Sequence, residues 1–225
     1  MPEGSYQETV CCPHCDQHFE TELLRSLQPD SPALRALLNS TLNCPRCPHC
    51  GKSFRVETGQ LIYKDPDTAF FLLQSSAEDP ESIASLEQEL DSLASEIAWQ
   101  ENMPRPMVRL VFNREDFIEK IFLQQRGLDD RLVEYAKFQL FQNTGGTRLL
   151  PQQQRLLFDF SNSDDEKMQF IVFDRESGKA DASLHLPMQD FRDMQQEFAQ
   201  SEELQKELDL LFPGCVVNVE NVYEA

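Results

Sequence analysis

Apolar residues recur at helical spacing in one long stretch of the chain, between residues 79 and 100. Side chains three or four positions apart form a stripe along one face of a helix. Asp79 is suited to cap this helix and Pro80 to occupy its first position, so a helix is predicted here. The stripe has two interpretations: it is a seam for self-association, or it packs the helix against its own domain. It consists of Ile83, Leu86, Leu90, Leu93 and Ile97.

The residues after this helix predict a mixture of helices and strands. A proline-containing segment, 102–106, ends the long helix and marks a boundary. Asp129 is suited to cap a second helix of this part, and Gly145-Gly146 to close it. The expected order is strand 107–112, helix 114–125, the helix after Asp129, strands 155–160, 168–174 and 182–186, helix 187–211 and strand 216–222. Polar turns between the three central strands favour an antiparallel meander.

The N-terminal part carries shorter strand patterns. In runs 19–22 and 53–56, apolar and polar residues alternate as in half-buried strands. The second run continues past Gly59 into 60–63, which predicts a hairpin with a glycine turn. Leucines at helical spacing over 31–38 predict a helical insertion between the two runs. The fold class expected for the whole chain is therefore α+β.

Composition and charge argue against some classes of binding partner. The 225 residues carry a formal net charge of −19, and residues 66–103 hold nine acidic and no basic side chains. Such a surface repels phosphate backbones and anionic lipid, so binding to nucleic acid or membrane is not expected. The N-terminus, MPEGSYQETV, has neither a basic start nor an apolar run, unlike a secretory signal. We therefore expect a cytoplasmic protein, whose cysteines are reduced.

The phrase CPHC occurs twice, as 12–15 and as 47–50, with phenylalanine four residues after each phrase. Two C-x-x-C pairs about thirty residues apart are a common ligand set for a tetrahedral zinc site. The turn after each pair needs a residue that tolerates positive φ, and Asp16 and Gly51 stand there. The predicted ligands are Cys12, Cys15, Cys47 and Cys50. Four thiolates leave no open position on the metal, which predicts a structural zinc and no catalysis at the ion.

Other ligand sets and thiol chemistries compete with this one. Cys44 and Cys47 form an overlapping C-x-x-C, but Pro48 would follow the second ligand and offers no N–H. The sequence therefore leaves open whether Cys44 is a ligand in place of Cys47 or Cys50. A histidine ligand and a redox dithiol are further alternatives, although the duplication itself favours one shared ion. The histidines concerned are His14, His18 and His49.

The paired phrases resemble the CpXC domain of bacterial proteins. The similarity extends to Tyr63-Lys64-Asp65, to Glu119-Lys120-Ile121, and to 127–131 with Glu134, and covers roughly residues 10–140. It implies a zinc-ribbon-like module of unassigned function. The expected organisation is a zinc-ribbon-like unit with a helical insertion over 1–78, an acidic helix and linker over 79–103, and an α+β domain with an antiparallel sheet over 104–225.

No pattern typical of an enzyme is found. Carboxylates cluster at 129–130 and 164–166, where helix capping and turn solvation are the simpler explanation. A nucleophile elbow, a phosphate-binding glycine loop and an HExxH motif are all missing. The sequence thus favours a non-enzymatic zinc-binding protein that acts through contacts with an unidentified protein or as a homodimer. The alternatives are weak nucleic-acid binding through the basic residues of the ribbon, or an uncharacterised enzyme in the C-terminal unit.

Overall fold

The computed structural model describes residues 4–101, 105–142 and 149–224, without the side chains of 99–101 and 224. Two compact units divide the chain, Met1–Asn113 and Arg114–Ala225. Helices and antiparallel strand pairs occur in both units, which confirms the predicted α+β class.

Among its described residues, the first unit has six strands and two helices. β1 and β2 form an antiparallel hairpin, and the other four strands form a sheet of order β3-β4-β5-β6. The central pair β4/β5 is antiparallel, and both outer pairs are parallel. The elements are β1 Ser5–Cys11, β2 His18–Leu24, β3 Ser26–Leu27, α1 Pro32–Leu38, β4 Gln60–Asp65, β5 Phe70–Ser75, α2 Pro80–Glu101 and β6 Met107–Val111.

The long helix α2 begins as its sequence predicts. Asp79 Oδ1 accepts a hydrogen bond of 2.9 Å from the backbone N–H of Ser82, which caps the first turn. Leu90 and Ala94 are buried, whereas Leu93 is 41% exposed. The buried part of the stripe therefore packs within its own unit, where α2 lies against β6.

The predicted hairpin with its turn at Gly59 is wrong. Residues 53–56 form no strand; Ser53 makes only an isolated bridge with Arg46. The antiparallel partner of β4 is β5, and the turn between them lies at 66–69. Asp65 Oδ1 accepts from the backbone N–H of Asp67 at 3.2 Å, so this carboxylate helps to form the turn.

The second unit has three strands and five helices in its described part. Its sheet has the order β7-β8-β9 with both pairs antiparallel, which confirms the predicted meander. The elements are α3 Arg114–Gln125, α4 Asp130–Gln142, β7 Gln154–Phe158, β8 Lys167–Asp174, β9 Ala180–Pro187, α5 Met188–Gln200, α6 Glu202–Leu211 and α7 Glu220–Glu224. The predicted closure at Gly145-Gly146 lies outside the described residues.

Two predictions for the end of the chain are wrong. The single helix over 187–211 is two helices, because Ser201 is extended (φ −116°, ψ 111°) and its side chain caps α6 through the N–H of Leu204. The terminal strand is also not formed. Val217 and Val219 are almost fully buried, 1% and 2% exposed, but they pack in the core without pairing to a strand.

The compact units differ from the three segments 1–78, 79–103 and 104–225 expected from sequence. The sequence pattern assigns strand β6 to the start of the C-terminal domain, whereas in the structure it pairs in parallel with β5, from Phe70↔Met107 to Gln74↔Val111. Helix α2 is the crossover between these two parallel strands. A crossover and its strands form one packing unit, so both belong with the N-terminal part.

Candidate metal centre

The first cysteine pair lies in the tight loop between β1 and β2. The backbone N–H of Cys12 donates to the carbonyl of Gln17 at 3.0 Å, and the N–H of Asp16 donates to the carbonyl of Cys12 at 2.9 Å. Asp16 has a φ of 54°, in the left-handed region expected at this position. We call the loop 12–17 the first knuckle.

The second cysteine pair repeats this geometry. The N–H of Cys47 donates to the carbonyl of Lys52 at 2.9 Å, and the N–H of Gly51 donates to the carbonyl of Cys47 at 2.9 Å. Gly51 has a φ of 73°. Loop 47–52, the second knuckle, is closed by the bridge between Arg46 and Ser53, whereas the first is closed by a full hairpin. The repeated phrase therefore builds the same turn twice.

The two knuckles bring four sulfur atoms together. The Sγ atoms of Cys12, Cys15, Cys47 and Cys50 all lie within 4.8 Å of one another. Across the knuckles, the Cys12–Cys50 and Cys15–Cys47 sulfur distances are both 3.7 Å. Four thiolates placed tetrahedrally at about 2.3 Å from a zinc ion would be about 3.8 Å apart. The cluster can therefore hold one metal ion with little movement.

Burial and hydrogen bonding give the thiols of this cluster different proton affinities. Burial raises the pKa of Cys47, but hydrogen bonds from the backbone N–H groups of Cys50 and His49 outweigh it and lower the pKa to about 6. For Cys15, the backbone N–H of Gln17 lowers the pKa, but burial and hydrogen bonds with neighbouring thiols raise it to about 12. Backbone N–H groups thus favour a thiolate at Cys47, whereas Cys15 holds a proton that a bound cation would displace.

The competing cysteines and histidines lie outside the sulfur cluster. Cys44 Sγ contacts the backbone carbonyls of Ser40 and Leu42, at 3.6 and 3.5 Å. Of the groups that the structure describes, neither Cys44 nor Cys11 is among those placed to share an ion. The same holds for His14, His18 and His49, so the arrangement favours the four-cysteine set.

An asparagine that sequence reasoning missed joins the segment before the second knuckle to the end of the first hairpin that lies away from the first knuckle. Leu24, the last residue of β2, donates its N–H to Asn43 Oδ1 at 2.8 Å, and Asn43 Nδ2 donates to the Leu24 carbonyl at 2.9 Å. The amide side chain therefore pairs with the end of β2 as a neighbouring strand would. The only local signal is that asparagine tolerates the φ of 53° found here.

Residues 10–137 match the family model described as CpXC protein. The chain belongs to the CpXC family. The match spans both knuckles, the whole four-stranded sheet and helix α3, and ends within α4. Neither a curated protein nor a solved structure matches the chain. Among its described residues, no helix combines the length and apolar character needed to cross a membrane.

The part of the CpXC match in the second unit contains a buried charge network. Glu119, Lys120, Asp130 and Glu134 lie in segments that carry the family resemblance, but their ion pairing was not predicted. Lys137 Nζ lies 2.8 Å from Glu119 Oε2 and 2.9 Å from Glu134 Oε1. Lys120 Nζ lies 3.0 Å from Asp130 Oδ2 and 3.4 Å from Glu134 Oε1. All five residues are buried, and none has more than 8% of its surface exposed. Groups so enclosed are placed to hold α3 and α4 together.

The C-terminal segment completes this network. The backbone N–H of Val219 donates to Glu134 Oε2 at 3.0 Å, and Asn218 Nδ2 donates to Asp116 Oδ2 at 3.1 Å. Glu220 Oε1 lies 3.1 Å from Nε of Arg155, which also pairs with Asp116. The matched helices therefore depend on residues far beyond the match to satisfy their buried charges.

Of the carboxylate clusters noted in the sequence, Asp130 belongs to the buried charge network, whereas Asp129 and Asp164 serve local structure. Asp129 Oδ1 accepts from the N–H of Arg131 at 2.9 Å near the start of α4. Asp164 Oδ1 accepts from the N–H groups of Glu166 and Lys167 at 2.9 and 3.0 Å, and these bonds lower its pKa. Capping and turn formation account for both.

Proposed function

We propose that this CpXC protein binds one structural zinc ion through Cys12, Cys15, Cys47 and Cys50, is not an enzyme, and acts through protein contacts. The observation that carries the metal part is the cluster of four sulfurs within 4.8 Å of one another. An all-sulfur tetrahedral set is typical of zinc or iron–sulfur chemistry, and a matched pair of knuckles is typical of structural zinc. The role in protein contacts rests on the closed ligand set and the acidic surface.

The ion would supply a cross-link between two loops that are distant in sequence. The first knuckle closes a regular hairpin, but the second is held by an isolated bridge and by the side chain of Arg46, whose Nε donates to the Gly51 carbonyl at 2.8 Å. Because four thiolates so close would repel one another, the cluster retains protons without a cation and the two loops lack this cross-link. Metal binding would therefore contribute much of the folding free energy of this region.

Thiolate ligands require reduced cysteines, which supports the proposal of a cytoplasmic protein. A closed shell of four thiolates also supports the proposal that the metal does no catalysis, since no position is left for water or substrate.

Metal analysis of the purified full-length chain tests the proposal. Native mass spectrometry and elemental analysis are expected to give one zinc per chain, and Cys12→Ser and Cys50→Ser to lose it. Cys11→Ser and Cys44→Ser are the matched controls and are expected to retain it. An iron chromophore, or a folded metal-free chain whose first unit is unaffected by a chelator, would overturn the assignment.

A further inference from the structure

An apolar groove of about 320 Å³ opens in the first unit, between α2 and one face of the four-stranded sheet. Its floor is a cross-strand row, because Lys64 is opposite Phe71 in the register and Phe71 is opposite Val108. Its wall includes Leu90 and Ala94 of α2. The volume lies at the lower end of the range for binding pockets, roughly 300–1,000 Å³.

Leu93 stands at the edge of this groove and is 41% exposed. On the helix surface its neighbours three and four residues away are Glu96 and Glu89, and both are exposed. An exposed leucine thus lies between an apolar groove and two carboxylates. Such a surface is complementary to a segment that carries an aliphatic side chain next to positive charges.

The charge of this region determines what can bind there. Residues 66–103 hold nine acidic and no basic side chains. Lys64 is the one lysine that lines the groove, and it lies at the β4 end of the floor. Helix α2 packs against β6, at the other end of the floor. Arg105, just beyond this acidic stretch, pairs with Asp91 of α2. The α2 residues that line the groove are apolar, and the negative charge beside Leu93 comes from the exposed Glu89 and Glu96.

A second copy of this chain is a poor occupant. Two copies meeting through α2 would oppose two strongly acidic helices, which costs free energy. Of the apolar stripe, Leu93 is the one exposed member, since Leu90 is buried and Ile83, Leu86 and Ile97 are half-buried against the unit. Little of the stripe is therefore left to form a seam with a second helix.

We propose that this groove docks a short basic segment of a partner protein, with an aliphatic side chain beside Leu93 and lysine or arginine side chains facing Glu89 and Glu96. The proposal deepens the function proposed above, since it rests on action through protein contacts and identifies the surface and the chemistry of the partner.

Peptide titrations of the zinc-loaded full-length chain test it, with fluorescence anisotropy as the readout. The probe is a short lysine peptide with leucines at helical spacing. One control peptide replaces every leucine by serine, and another replaces every lysine by glutamate. We expect the probe to bind at least about ten-fold more tightly than either control, as buried anchors usually do. Binding of the serine control equal to that of the probe would reduce the effect to general charge attraction and overturn the proposal.

Variants locate the site. Leu93→Asp is expected to weaken probe binding at least about ten-fold, whereas Leu210→Asp, at an 82% exposed leucine of the second unit, is expected to leave it unchanged. Glu89→Lys combined with Glu96→Lys changes only exposed side chains. This double variant is expected to bind the probe more weakly and the glutamate peptide more tightly than the wild type does. Wild-type binding by Leu93→Asp, or by the double lysine variant, would overturn the proposal. So would a dimer in sedimentation analysis that Leu93→Asp dissociates, because the occupant would then be a second copy.

Zinc content separates this result from the metal assignment. All groove variants are expected to retain the zinc content of the wild type, since they lie outside the knuckles. Loss of peptide binding with zinc retained is the supporting result. A zinc-loaded wild type that binds no peptide would overturn the docking proposal and leave the metal site standing.

Discussion

The rings of Phe19 and Phe54 meet edge to face, with centroids 6.1 Å apart and an interplanar angle of 88°. Each phenylalanine follows the second cysteine of its pair by four residues. The same position in each copy of the repeated phrase therefore meets its counterpart beyond the sulfur cluster. The repeat thus specifies an aromatic contact as well as a ligand set.

This ring contact is expected to stabilise the junction of the knuckles. In a double-mutant cycle of Phe19→Leu and Phe54→Leu, we expect a coupling free energy of about 0.5–1.5 kcal/mol, typical of aromatic pairs. Urea unfolding of the zinc-loaded chain measures it. Zinc content should stay at the wild-type value in all variants, and purely additive effects would show that the rings do not stabilise each other.

Asn43 is expected to stabilise the first unit in two separable ways. Asn43→Ala removes both hydrogen bonds to Leu24 and leaves a β-carbon at positive φ, so we expect a loss of about 2–3 kcal/mol. Asn43→Gly removes the same bonds but adopts positive φ freely, and its loss should be about 1–2 kcal/mol. Hydrogen exchange of the β2 amides measures both. Equal losses would contradict a role for the backbone conformation.

Lys137 is expected to be essential to the second unit. Lys137→Met leaves Glu119 and Glu134 buried without one of their cations, which typically costs about 3–5 kcal/mol. Adding Glu119→Gln removes one of the uncompensated charges and should recover part of that loss. Hydrogen exchange of the α4 amides gives the free energy of opening. A double variant no more stable than Lys137→Met would contradict this electrostatic explanation.

The charge network also predicts a pH dependence. Burial would raise the pKa of Glu134, but Lys137 and Lys120 outweigh it and hold the pKa below its ordinary value of 4.5. The stabilisation from Glu134 is therefore fully present above pH 4.5 and is lost as the pH falls through the lower, folded-state pKa. Glu119 has the opposite sign, since burial raises its pKa. We expect Glu134→Gln to weaken the pH dependence of unfolding below about pH 4.5. An unchanged acid limb, followed by circular dichroism, would contradict this.

The features that were correctly predicted are those encoded within a few residues. A knuckle depends on C-x-x-C and the residue after it, so Asp16 and Gly51 could be identified directly. The start of α2 depends on Asp79 and the three residues that follow. In each case the hydrogen bonds that form the structure join neighbours in the chain, and their pattern is visible without the fold.

Only the tertiary structure decided which distant segments meet. The pattern of β6 indicates a strand but not that it pairs in parallel with β5, because pairing leaves no periodic trace in either sequence. Lys137 and Val219 likewise look ordinary in isolation, and the resemblance at Glu119 does not identify its partner, since the free energy of a buried charge depends on partners brought from elsewhere in the chain. By itself, the sequence determined the composition of the sulfur site and the local turns that present it. The boundary of the units, the charge network and the groove followed from long-range packing.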